Sequence, residues 1–423
     1  MPPVYQTTRL PNGLTILTAA LPHMASVSLG VWVGTGGRHE PAALNGISHY
    51  IEHMLFKGTR RRSPAQISQA VEGIGGYLNA FTDEEHTCFY SRAQAERMPE
   101  LLDVLLDMFL DSAFAPAEIT KERDVIKEEL AMYRDQPAEH VHDLLNSAQF
   151  PGHPLGRPVI GTVKTLDALR RDDFLRYLAT SYVTGATVIA AAGNVQHEEL
   201  VKLVTKRAKA FRTGARPGYE PVTQSHAAPV LKLATRKTEQ SNLGLGLRTC
   251  SRHDPRRFAL RLLNVILGEN MSSRLFQTVR EEHGLTYNIN SSLSFWDDCG
   301  DLVISAGLDP AQTEKTLRLV MAELRRLRDE VPGRAEFNRA RDYVLGQIDL
   351  SMESTESHMM FLGEQWLGFG RMSTPAESKA RLAAVKPAEL RAAARDFFRP
   401  ERFTLALVGP RKKAAGLDRL LAI

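Results

Sequence analysis

Arg38-His39-Glu40-Pro41 returns as Arg252-His253-Asp254-Pro255, and Leu29-Gly30-Val31 returns as Leu243-Gly244-Leu245, both at a shift of 214 residues. Further on, Glu118, Arg123 and Asp124 find counterparts in Glu336, Arg341 and Asp342 at a shift of 218. Each half also closes on a strand-like run ending in glycine, Ala192-Gly193 and Val408-Gly409. Local matches that keep their order mark a tandem duplication. The join falls near residue 215, where ARPGYEPVTQSHAAP carries three prolines and reads as a loop. The expectation is an α+β chain of two homologous domains, 1–214 and 225–423.

Within the first half, Pro11-Asn12-Gly13 signals a hairpin turn and Leu14–Ala19 the strand after it. Ser26–Val33 reads as a second strand and Asn45–Lys57 as a helix with one polar face. Pro64–Gly73 reads as another helix, broken by Gly75-Gly76 before a strand around Tyr77–Tyr90. Two more helices follow, Pro99–Leu110 and the charged Pro116–Tyr133, and Thr187–Ala192 reads as a buried strand.

Composition excludes several classes. The chain has 423 residues, 43% hydrophobic and 24% charged, as in ordinary globular domains. Its net charge is +4 with the signs interleaved, and Arg60-Arg61-Arg62 is a tight basic cluster. Neither a nucleic-acid nor a membrane partner is expected. No apolar run reaches the ~18 residues of a membrane helix. Cys88, Cys250 and Cys299 are too far apart for a Cys-x-x-Cys zinc site and odd in number. The opening MPPVYQTTRLPNGLTILTAA lacks a basic segment followed by an apolar one. A reduced, cytoplasmic setting is the expectation.

The chemistry sits in His49-Tyr50-Ile51-Glu52-His53. On a helix, His49 and His53 share one face, so both imidazoles can reach one ion, and Glu52 lies close beside them. Catalytic zinc takes three protein ligands and leaves one position for water, whose proton an adjacent carboxylate can remove. The spelling H-x-x-E-H is that of the inverzincins. The plainer reading is a pair of solvated helical histidines. The duplication weighs against it: positions 49, 52, 53 and 129 fall on Leu263, Ile266, Leu267 and Gln347. One half has kept ionisable groups that the other has lost, as a single active site on a doubled scaffold requires.

From Leu10-Pro11-Asn12-Gly13 to Val408-Gly409 the chain resembles the pitrilysin/insulinase metallopeptidases, and within them the small-chain branch of mitochondrial processing peptidase and its bacterial relatives. The stretch Gly46–Thr59 carries the resemblance at the metal. It implies processing-peptidase-like domains, each an antiparallel-rich sheet packed with helices. It also implies one Zn2+ per chain on His49, His53 and Glu129, the last placed three residues after the Val125-Ile126 pair rather than at Glu128. Glu52 becomes the general base. Glu122, seven residues before the ligand, supports the site or forms a helix-surface salt bridge. Gly75–Thr82 resembles the family's edge strand, so Asn79, Ala80 and Phe81 would pair with an extended peptide; an ordinary inner strand is the alternative. Arg280 and Tyr287 match the family's R-x-x-x-G-L-x-Y segment, in which the pair reaches the metal site of a facing domain. Tyr287 would then stabilise the oxyanion, and Arg280 would hold a substrate carbonyl or orient Tyr287. Glu85 and Thr87 fit further family positions without a role. Phe361–Arg371 reads as core.

Three readings follow. The first is a zinc endopeptidase acting on extended peptides, a homodimer closing a chamber. The second is a non-catalytic peptide-binding partner subunit, which would lack H-x-x-E-H. A structural zinc protein would want four ligands including cysteine. Among the other candidates, His140-Val141-His142 reads as surface, Cys88 as a packed strand residue, and Gly34–Gly37 lacks the Lys-Ser/Thr of a phosphate loop.

Overall fold

A computed structural model describes residues 4–223, 225–413 and 416–421. The strands of the first sheet are β1 (Val4–Arg9), β2 (Thr15–Ala20), β3 (Ser26–Val33), β4 (Tyr77–Thr82), β5 (Thr87–Gln94) and β6 (Thr187–Gly193). Those of the second are β7 (Val230–Thr235), β8 (Ser241–Thr249), β9 (Thr286–Phe295), β10 (Gly300–Leu308) and β11 (Phe403–Gly409). The sheet orders are β1-β2-β6-β3-β5-β4 and β7-β11-β8-β10-β9. Remove β1, and the second order repeats the first with each strand replaced by its counterpart. The one parallel pair in each sheet matches too, β2 with β6 and β7 with β11. The tandem α+β duplication is therefore written into the topology.

Helices α1 (Ile47–Leu55), α2 (Pro64–Glu72), α3 (Met98–Asp111), α4 (Pro116–Asp135) and α5 (Pro137–Gln149) lie in the first half. They are followed by α6 (Val163–Ala168), α7 (Arg171–Ser181) and α8 (His197–Arg207). The second half carries α9 (Arg257–Asn264), α10 (Thr313–Asp329), α11 (Arg334–Ser351), α12 (Thr355–Phe369), α13 (Pro375–Ala384) and α14 (Pro387–Phe397). Among the described residues no helix is long and apolar enough to cross a membrane.

Two compact units result. The first comprises the chain to Leu130, Arg157–Glu220 and Ser351–Met372; the second comprises Ala131–Gly156, Pro221–Leu350 and the chain from Ser373. Each unit thus borrows one helix from the other half of the sequence, α12 for the first and α5 for the second. This explains why β3 and β6 are buried on both faces. Val27, Leu29, Val31, Ile189 and Ala191 join the main core of the first unit. On the opposite face Trp32, Val188, Ala190 and Ala192 pack with Met359, Leu362 and Leu367 of α12. In the second unit Val141 and Leu145 of α5 pack with Val303, Ala406 and Val408. Within Phe361–Arg371, Leu362 and Leu367 are core residues, packed against the first sheet, while Glu364, Gly370 and Arg371 are exposed.

The repeated Leu-Gly-Val/Leu motif now has a physical reading. A Cβ on Gly30 would lie 2.3 Å from Met359 Sδ, one on its counterpart Gly244 would touch Leu145 and Val141 of α5 at 3.4 and 3.5 Å, and one on Gly246, two residues further along the same strand, would lie 2.2 Å from Gln149 Oε1. These glycines let the borrowed helices approach the sheets closely.

One element differs from expectation. The stretch Tyr77–Tyr90 is a hairpin rather than one strand, because Asp83 Oδ1 accepts the amides of Glu85 and His86 and turns the chain between β4 and β5. Cys88 is a buried free thiol on β5, and Cys250 and Cys299 are also free and buried.

Candidate metal centre

Helix α1 buries Ile47, Tyr50, Ile51, Met54 and Leu55, which leaves His49, Glu52 and His53 on its other side, half-buried. Tyr50 donates its hydroxyl proton to the carbonyl of Ile119, tying α1 to α4. On α4 the buried Ile119, Glu122 and Ile126 define the inward stripe. Glu129 continues it at helical spacing, half-buried, while Glu128 is exposed.

Glu129 Oε2 lies 3.7 Å from His49 Nε2 and 3.6 Å from His53 Nε2. These separations are too long for hydrogen bonds, and Glu129 Oε2 is buried with no hydrogen-bond partner among the described residues. They do suit an ion held between the three groups. A tetrahedral zinc with ligand bonds of ~2.0–2.2 Å places its donor atoms roughly 3.3–3.6 Å apart. Among the described residues His49, His53 and Glu129 form the one cluster of His, Cys, Asp and Glu side chains close enough to hold a metal. His140 and His142, on α5, belong to no such cluster. Burial, then the neighbouring His53, push the His49 imidazole down to about 3, so it stands neutral with a lone pair to donate.

The surrounding groups are ordered. His53 Nδ1 bonds Glu122 Oε1 at 2.8 Å, and Glu122 Oε2 takes Lys57 Nζ at 2.7 Å. Glu122 is 1% exposed, which removes the surface-salt-bridge reading. Its burial raises the carboxyl pKa, yet the bonds from His53 and Lys57 together outweigh this and leave it below the usual range. Glu52 accepts the hydroxyl of Thr82, from β4, at 2.6 Å. Burial raises the Glu52 pKa, with the Thr82 bond opposing. Glu52 thus stands beside the candidate cluster with its proton affinity raised.

Asn79, Ala80 and Phe81 lie on β4, which ends the sheet and pairs only with β5. The inner-strand alternative falls. Arg280 and Tyr287 lie in the second unit, with the guanidinium 5.3 Å from the tyrosine ring centroid and Tyr287 84% exposed. Glu85 pairs with the buried Arg38 at 2.8 Å, and Thr87 donates to the carbonyl of Thr35, both structural contacts. Sequence reasoning gave no role to Thr82 or Lys57, although both stood inside the quoted motifs. The counterparts of the cluster in the second unit, Leu263, Ile266 and Leu267, are core residues.

The description "Insulinase (Peptidase family M16)" matches residues 15–163, and "Peptidase M16 inactive domain" matches residues 168–344. The chain belongs to the M16 peptidase family. It is 40% identical to an uncharacterized zinc protease of Streptomyces coelicolor over 96% of this chain and 89% of that protein. A Bacillus subtilis protein of the same description is 37% identical over 94% and 97%. A crystal structure of a Helicobacter pylori protease shares the fold at a TM-score of 0.90 and 18% identity, covering 97% of this chain and 100% of that one. The M16 second-half match to a domain described as inactive agrees with the apolar residues that fill its equivalent helix.

Proposed function

We propose that the chain is a zinc endopeptidase that cleaves extended peptides, carried by one observation: the Nε2 atoms of two histidines each lie within 3.7 Å of a buried Glu129 oxygen that has no hydrogen-bond partner among the described residues. His49, His53 and Glu129 would hold the ion. A bound zinc ion supplies Lewis acidity for the scissile carbonyl and acidifies the attacking water.

The chain's own groups do the rest. Glu52 removes the water's proton as it attacks the peptide carbonyl, then delivers that proton to the departing amine. Thr82, bonded to one carboxylate oxygen at 2.6 Å, fixes Glu52 in the pose that leaves its other oxygen for the water. Glu122 fixes the ring plane of His53 through Nδ1, the orientation that aims Nε2 at the cluster. Asn79, Ala80 and Phe81 offer the open edge of β4 for backbone pairing with a substrate strand, which holds many sequences. In the homodimer this reading includes, Arg280 and Tyr287 serve the site of the partner copy, and the exposure of Tyr287 suits that role.

The alternative is a peptide-binding subunit without catalysis. It has no use for the ionisable set at 49, 52, 53 and 129. The test is incubation of the purified protein with a mixed peptide library, with and without chelator, followed by sequencing of the products. Chelator-sensitive internal cleavage supports the peptidase; binding without cleavage supports the alternative.

A further inference from the structure

His53 is oriented through its second ring nitrogen, but His49 is not. The Nδ1 of His49 is buried and has no hydrogen-bond partner among the described residues. Where the aim of a ligand is not set by a bond to its ring, it depends on the backbone that carries it. His49 is the third residue of α1, within the first turn, where amides lack intrahelical partners and the backbone frays unless they are capped.

The usual device is missing. The residue before α1 is Gly46, at φ +95°, with no side chain to cap the helix. A Cβ there would come within 2.8 Å of Gly161 Cα, so Ser, Asp or Asn is sterically barred. A carboxylate from six residues upstream takes over. Glu40, 2% exposed, accepts the amide of Ser48 through Oε1 at 2.8 Å. Its Oε2 accepts the amide of Gly46 at 2.7 Å and Nδ2 of Asn45 at 3.2 Å.

From this geometry we infer that Glu40 is the positioning residue for His49: it fixes the first turn of α1, and through it the imidazole that no side chain orients. Burying a carboxylate is a costly way to cap a helix. Burial alone drives its pKa upward, with the bonds from Ser48, Gly46 and Asn45 opposing. The repeat marks the difference. Asp254, the counterpart in the second unit, is bound instead by the Arg256 side chain and amide, where no ligand needs aiming.

The inference rests on the metal reading above, and the experiment separates the two. Zinc affinity is measured by competition with a chromophoric chelator for the unaltered protein, Glu40→Gln, Asn45→Ala and Asp107→Asn. The visible spectrum of the cobalt-loaded forms is recorded alongside. Failure of the unaltered protein to bind zinc overturns the metal reading itself. If it binds, Glu40→Gln is expected to lose affinity about tenfold and to change the intensity of the cobalt bands. Asn45→Ala, which removes one donor from Glu40 while keeping the carboxylate, should show a smaller loss and serves if Glu40→Gln does not fold. Asp107→Asn, a buried acid on α3, should lower stability without altering the cobalt bands. Unchanged zinc affinity and spectrum in folded Glu40→Gln or Asn45→Ala would overturn the inference, as would the same spectral change in Asp107→Asn.

Discussion

Replacing Gly363 by Ala should destabilise the protein, although the same change in an open helix stabilises it. Gly363 lies within α12, where alanine gains about 1 kcal/mol in helix propensity. A Cβ at this position would stand 2.2, 2.4 and 2.5 Å from Cε2, Cδ2 and Nε1 of Trp32. That indole is fully buried and is bonded through Nε1 to Met359 Sδ, so it cannot swing aside as a flexible chain end would. Overpacking of this kind costs roughly 1–3 kcal/mol, and a rigid ring puts it at the upper end. The net expectation is a loss of about 2 kcal/mol. Gly346 on α11 is the control, because a Cβ there meets nothing within 4 Å. Gly346→Ala should gain about 0.5–1 kcal/mol. Urea unfolding followed by far-ultraviolet circular dichroism reads both as shifts of the midpoint in opposite directions. If Gly363→Ala stabilises as much as Gly346→Ala, α12 does not dock on Trp32 and the helix exchange is wrong.

Three further outcomes are expected. Glu122→Gln weakens the bond to His53 and sets an amide against Lys57, so zinc affinity measured against a chelating dye should fall about 10- to 100-fold. Asp107 has a fully buried side chain that accepts from Thr59, Arg61 and Arg62. Burial raises its pKa, but these bonds outweigh that and hold it below the usual carboxylate range. The stability it supplies is therefore present above about pH 4, the unfolded value, and fades as pH falls through the lower folded value. Asp107→Asn should cost about 2 kcal/mol at pH 7, less than a fully buried pair because Arg61 is half exposed, and should flatten the acid limb of a thermal-melt series. For the proposed homodimer, a Glu52→Gln chain mixed with a Tyr287→Phe chain under verified subunit exchange should regain peptidase activity. No recovery would mean that the site is not shared between copies.

The residues differ in how they could be read from sequence, for physical reasons. His49 and His53 are local: a helix alone brings them to one face, so the spacing announces the pair. Glu129 is 76 residues beyond His53 and meets it only through packing of α1 on α4, which no local pattern carries. Resemblance to a family supplied it. The duplication was visible because Arg38–Pro41 and Leu29–Val31 recur, yet the borrowed helices were not. An apolar helix face shows that it is buried without showing against which sheet. The burial of β6 was visible in its run of alanines, although not that both its faces are covered, one of them by α12. Glu40 stood in the opening repeat as one charge among many. Its part emerges only when the missing cap at Gly46 and the unpartnered ring nitrogen of His49 are seen together.

The central claim, that Glu52 moves protons at a metal centre built by His49, His53 and Glu129, is tested most directly by one paired measurement on Glu52→Gln. The substitution keeps size and the ability to accept from Thr82 but cannot take a proton at neutral pH. Zinc content by elemental analysis and turnover of a quenched fluorogenic peptide are read on the same preparation. The expected result is one zinc per chain together with a fall in turnover of about 10²-fold or more. Turnover close to that of the unaltered protein would contradict the account, and loss of the zinc would make Glu52 a ligand instead of a base.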